Sequence, residues 1–257
     1  MVTGMENARL LDVLDVDFAR LRAVAQEGDL AARVPSCPDW SLGDLVHHVG
    51  MVYLHKVSAM RLGEHPPGWP PAEALAEPPL ELLDRSYADL TKEFAARDAG
   101  EPTFTWYSPD QTVGFWIRRM AQETVIHRID AELAAGVPVT AVADDVALDG
   151  IDELLVAFIE FGTHAWIDDE EVSGVLGRAD GRAIRIEAGE AAWLVRPTPE
   201  GVEVRVSDVD TAEAVVRGAP HDLLLWLWNR AGDDVVTVTG DTDLVAYLRT
   251  VLAVGTQ

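Results

Sequence analysis

VGFWIRRMAQETVIHRIDAELAAGVP, residues 113–138, reads as one helix with its stop signal attached. Trp116, Met120, Glu123 and His127 recur at helical spacing along one face, while Arg118, Arg128 and Glu132 fall roughly opposite. Gly136 followed by Pro138 is a usual way to end a helix, so the spacing predicts a helix over about 113–135. The carboxylate and the imidazole are expected to point inward and the charged stripe to face water.

Three earlier segments repeat the pattern. Residues 8–29 place Leu10, Leu11, Leu14, Phe18, Leu21 and Val24 at helical intervals. VPSCPDW, with two prolines, reads as a turn, and Ser41-Leu42-Gly43-Asp44 has the form of a capping box, so a helix should start at about Leu42 and run to about Leu62. The Pro-rich HPPGWPPAE breaks the chain, and a further helix fits residues 79–98. Four helices of about twenty residues predict a four-helix bundle. Beyond Pro138 the period changes. A helix is expected at about 146–166, followed by short alternating runs RAIRIEA, AAWLVRPT and GVEVRVSD, which read as a three-stranded antiparallel meander. HDLLLWLWNRAG reads as a helix, VVTVTG as a strand and DLVAYLRTVLA as a closing helix. The chain is therefore expected to hold two domains, a helical one over 1–138 and an α+β one over 139–257 with a small antiparallel sheet.

Among 257 residues, 44 Asp and Glu face 20 Lys and Arg, a formal charge of −24. Such a polyanion is a poor partner for nucleic acid or an anionic membrane. The single cysteine, Cys37, excludes an internal disulfide and a cysteine-rich zinc site. It reads as a small turn residue, since nothing nearby in sequence is arranged to activate it. No signal peptide or spanning segment is evident, so a cytoplasmic protein is expected, with a monomer as the default.

Seven histidines stand at 47, 48, 55, 65, 127, 164 and 221. The informative one is His127, four residues after Glu123 and one turn away on the same face. Burying such a pair unaided is costly, and either a mutual ion pair or a shared metal relieves the cost. A bundle metal site recruits a ligand from a facing helix. His48, which shares its side with Leu45 and Val52, is the inward candidate. His47 is turned a quarter-turn away, and His55 is too far along the axis to join the same ion. Both are read as partly solvated surface. His48, Glu123 and His127 would form a His₂Glu set with an open fourth position, the arrangement of a catalytic zinc. Phe104, Trp106 and Tyr107 could wall a pocket or pack between the domains. Trp226 and Trp228, two apart on one helix, should divide between core and interface.

VPSCPDWSLGDLVHHVGMVYLH and RRMAQETVIHRIDAELAAG together resemble the mycothiol-dependent maleylpyruvate isomerase-like family of the DinB-like four-helix-bundle superfamily. VVRGAPHDLLLWLWNRAGDDVVTVTGD resembles its C-terminal, sterol-carrier-like domain. The resemblance implies a divalent metal, usually zinc, held by His48, Glu123 and His127, and mycothiol as the thiol cofactor. It also implies a catalytic arginine in the C-terminal domain, carried over to Arg230. Gln122 stands where many relatives carry a histidine and is no fourth ligand. The expected partners are a low-molecular-weight thiol and a small electrophile, and the expected reaction is cis–trans isomerisation or S-transfer. Two rivals have other consequences. A non-enzymatic module would bind a small apolar ligand in the C-terminal domain, and a buried His–Glu–His network would merely fix helix register.

Overall fold

The computed structural model describes residues 5–206 and 211–256. The chain divides into two compact units, Met5–Thr140 and Ala141–Gln257. The first contains α1 (Asn7–Glu27), a short hairpin of β1 (Arg33–Val34) and β2 (Cys37–Ser41), α2 (Leu42–Leu62), the single turn α3 (Ala72–Leu75), α4 (Pro79–Ala95) and α5 (Val113–Ala134). The four long helices form the bundle, with α2 packed on α4 and α1 on α5.

The start of α2 is fixed by the predicted capping box: Ser41 Oγ accepts from the Asp44 N–H at 3.2 Å, and Asp44 Oδ2 accepts from the Ser41 N–H at 2.9 Å. Thr112 caps α5 in the same sense, accepting from the Phe115 N–H at 3.3 Å. Past α5, Gly136 takes φ 65°, a left-handed turn that glycine enters without strain. The α2–α4 crossing is close because position 50 is glycine. A Cβ there would lie 2.9 Å from Leu82 Cγ and 3.0 Å from the Leu83 nitrogen.

The VPSCPDW segment folds as a hairpin rather than a simple turn, and Cys37 sits on β2 opposite Val34. Of the charged stripe of α5, Arg118 is half-buried and the other two residues do not face water. Arg128 and Glu132 are buried, at 2% and 0% exposure, because α1 lies across that face. Glu132 Oε1 accepts from Arg20 Nε at 2.7 Å and from the Thr140 hydroxyl at 2.7 Å; its Oε2 accepts from Arg128 Nη1 and the Thr140 N–H, each at 2.9 Å. Arg128 Nε also donates to Asp17 at 2.7 Å. A helix with neighbours on both sides has no solvent face to give its charges, so they pair with one another.

In the second unit, α6 (Asp144–Glu153), a π-helical segment (Leu154–Phe161) and α7 (Gly162–Ala165) run on continuously where one helix was expected. α8 (Glu170–Leu176) follows. Strands β3 (Ile184–Ala188), β4 (Ala191–Thr198) and β5 (Gly201–Val206) make the predicted antiparallel meander. β6 (Ala214–Gly218) pairs parallel to β3, and β7 (Thr237–Gly240) pairs antiparallel to β6, giving the order β5-β4-β3-β6-β7. α9 (Pro220–Leu227) lies between β6 and β7, and α10 (Thr242–Gly255) closes the fold. The exposed edge of β5 is covered by side chains of the long helix: the Val204 N–H donates to Glu160 Oε1 and the Val202 N–H to Thr163 Oγ1, both at 2.9 Å. Trp226 and Trp228 are both buried, and Trp228 packs edge-on against Phe158 with ring centroids 5.6 Å apart. Among the described residues no helix is long and apolar enough to cross a membrane.

Candidate metal centre

α2 supplies His48, and α5 supplies Glu123 and His127. His48 Nε2 lies 3.4 Å from Glu123 Oε1, and His127 Nε2 lies 3.2 Å from the same oxygen. The three donor atoms fall within 4.8 Å of one another. Ligands at 2.0–2.1 Å from a tetrahedral zinc stand about 3.3 Å apart, so these two separations suit a shared cation with little rearrangement. Glu123 has a 16% exposed side chain and His127 an 11% exposed one, while His48 is open at 36%.

Each donor is held by a group that sequence reading did not identify. Asp130 Oδ2 lies 3.0 Å from His127 Nδ1, and Ser36 donates to Asp130 Oδ1 at 2.5 Å. A carboxylate on Nδ1 fixes the proton there and directs the Nε2 lone pair at the centre. Arg119 Nη2 donates to Glu123 Oε2 at 2.8 Å, which leaves Oε1 for the two histidines. Trp40 on β2 packs its ring against His48, with centroids 4.7 Å apart. The hairpin before α2 therefore braces both histidines, one through Ser36 and one through Trp40. His-x-x-Asp spacing on a helix was the available signal for Asp130.

The electrostatics favour positive charge at the centre. Burial works to raise the Glu123 carboxyl, but His127, His48 and Arg119 hold it well below the usual carboxylate range. Burial likewise opposes charge on His127, yet Glu123 and Asp130 outweigh it and push the imidazole up to about 9. A site that retains a proton so firmly offers the same environment to a metal cation.

Of the other expected positions, His47 Nε2 is 3.0 Å from the Ala74 carbonyl oxygen and serves the α3 turn. His55 is partly exposed, as expected, in an aromatic setting. Its ring packs edge-on against His65 and Trp69, with centroids 5.1 and 4.8 Å away. Burial, then Lys56 and His65, push it down to about 4 from 6.5. Because the unfolded chain binds this proton at higher pH than the folded one, stability from His55 is complete above pH 6.5 and declines as pH falls towards 4. Chemical denaturation of wild type and His55→Gln at pH 7, 6 and 5 should show a shallower acid loss in the variant; parallel curves would remove His55 as the cause.

Trp106 and Tyr107 pack on Phe115, with centroids 5.2 and 5.5 Å away, and Trp116 Nε1 donates to the Phe104 carbonyl at 2.8 Å. The aromatic loop thus packs on the start of α5. Arg230 belongs to the other unit, just past α9, where Nη1 donates to the Trp228 carbonyl at 2.6 Å.

Comparison with known proteins gives a consistent picture. The mycothiol maleylpyruvate isomerase N-terminal domain matches residues 11–132, and the C-terminal domain of the same description matches residues 145–246. Among solved structures, the mycothiol-dependent maleylpyruvate isomerase is similar with a TM-score of 0.64 at 14% identity, over 93% of this chain and 95% of that one. A point mutant of that enzyme gives 0.62 with the same identity and coverage. At such identity the structural likeness is one of fold. No curated protein matches the chain.

Proposed function

We propose, for a chain that belongs to the mycothiol maleylpyruvate isomerase family, that it is a zinc-dependent enzyme using mycothiol against a small conjugated electrophile. The observation that carries this reading is the convergence of His48, Glu123 and His127 donor atoms within 4.8 Å. These three residues would hold the ion, with a fourth position left for sulfur. A bound zinc would supply Lewis acidity that keeps a thiol as its thiolate near neutral pH. Asp130 and Ser36 hold the His127 ring, and Arg119 holds Glu123, so the donors are fixed before any ligand arrives. Arg230, carried over from the family resemblance, would pair with a substrate carboxylate or with the developing enolate.

The reaction class is reversible: a thiol adds to a conjugated double bond, the resulting single bond rotates, and the same thiol leaves. Retention of the new C–S bond instead gives an S-conjugate. The chain's one cysteine lies outside the triad, so the sulfur is assigned to a separate cofactor. The contacts would also serve a plain buried ion pair, and metal content separates the two readings. Elemental analysis should give about one zinc per chain, and maleylpyruvate should isomerise only when mycothiol is present. A protein that takes up no metal after incubation with zinc would overturn the proposal. Asp130→Ala should lower zinc affinity by about 10–100-fold in chelator competition, since it frees the His127 ring; unchanged affinity would show that Asp130 does not orient the ligand.

A further inference from the structure

Eight residues past His48 on α2, Lys56 extends its side chain along α5 over the ring of Trp116, with Nζ 4.8 Å from the centroid. Its other contact is His55 Nδ1 at 3.3 Å. Among the described residues no carboxylate forms an ion pair with this ammonium. The acid whose charge acts on it is Glu123, whose oxygens are already engaged by Arg119, His48 and His127. Arg119 adds a second positive charge nearby. The result is a half-buried spot with one cation in excess, in a chain of formal charge −24, on the same α2–α5 face as the triad.

An ammonium held among protein groups without a matching anion is costly. Its cost shows as a shift: burial, opposed by Glu123 and reinforced by Arg119, pushes Lys56 down to about 8. Such a group is relieved when an anion arrives beside it. We propose that Lys56 binds an anionic group of the substrate, a carboxylate placed along the α2–α5 face while the electrophilic carbon lies towards His48, Glu123 and His127. This rests on the function proposed above in assigning the triad as the reacting end. It makes Lys56 the residue that selects carboxylate-bearing electrophiles over neutral ones of the same shape.

The test uses the protein as purified, with zinc measured on each sample, and titrates sodium maleate calorimetrically into wild type, Lys56→Met and Lys56→Arg. Methionine keeps the apolar stem over Trp116 and removes the charge. Maleate affinity should fall at least about tenfold in Lys56→Met and recover in part in Lys56→Arg. Zinc content and melting temperature should stay at wild-type values, and dimethyl maleate should not distinguish the three proteins. Equal maleate affinity in wild type and Lys56→Met, or none in wild type, overturns the assignment of Lys56. Absence of zinc from every sample with the maleate difference intact would instead overturn the function proposed for the triad and leave the anion site standing.

Discussion

Glu132→Ala is expected to lower the unfolding free energy by about 3–5 kcal/mol, the usual cost of removing one partner from a buried charge network. Glu132 is fully buried and accepts four hydrogen bonds, two from arginines and two from Thr140. Without it, Arg128 retains Asp17 and the Thr140 carbonyl, while Arg20 loses its ion-pair partner. Burial works to raise the Glu132 carboxyl, but Arg20, Thr140 and Arg128 together lower it below 4.5. Its stabilisation is therefore present above about pH 4.5 and is lost as pH falls through the depressed value, so the variant should also be less acid-sensitive. Urea denaturation at pH 7 and pH 4 reads both effects. A loss below about 1 kcal/mol at pH 7 would mean that the network contributes no more than an exposed pair.

His48→Ala separates catalysis from architecture. His48 is the most exposed of the three donors, and it touches Glu123, the Trp40 ring and the edge of the His127 ring. Removing it should therefore shift stability by only about 1 kcal/mol. Loss of one of three ligands should nonetheless abolish stoichiometric zinc and reduce kcat/KM by about 10³-fold or more, since Lewis-acid stabilisation contributes several kcal/mol to the transition state. Elemental analysis, steady-state kinetics and melting on one preparation decide the matter. A variant that melts far lower while wild type carries no metal would point to a register-fixing network.

The bundle was legible because its signals are local. The capping box at Ser41 and Asp44 starts α2 at Leu42, and Gly136 lies just beyond α5. Glu123 and His127 were legible for the same reason, since one helix sets their spacing. His48 needed a facing helix, and its side of α2 was readable from Leu45 and Val52. What escaped was everything that depends on which element covers which face. Arg128 and Glu132 look like surface residues on an isolated α5 and become interior ones only because α1 crosses them. Ser36, Trp40 and Lys56 act on the site through a hairpin and a long side chain, neither of which has a periodic signature. β6 escaped too, for its five residues gain meaning only from parallel pairing with β3.

The π-helical segment Leu154–Phe161 bears on how relatives of this protein are to be aligned. An i→i+5 ladder fits more residues into each turn than an i→i+4 ladder, so the segment stores surplus chain between two ordinary stretches of helix. In a relative whose counterpart is α-helical throughout, the corresponding gap belongs inside residues 154–161. That run, LLVAFIEF, is apolar nearly throughout and offers identity scoring little to hold on to. A gap slid into the following loop would misplace every match between by one position, about 100° around the helix. Glu160, which covers the β5 edge, would then be matched to a residue facing elsewhere. Asp152, bonded to Trp193 Nε1 at 3.1 Å, and Thr163, bonded to the Val202 N–H, bracket the segment and give the alignment fixed points on either side.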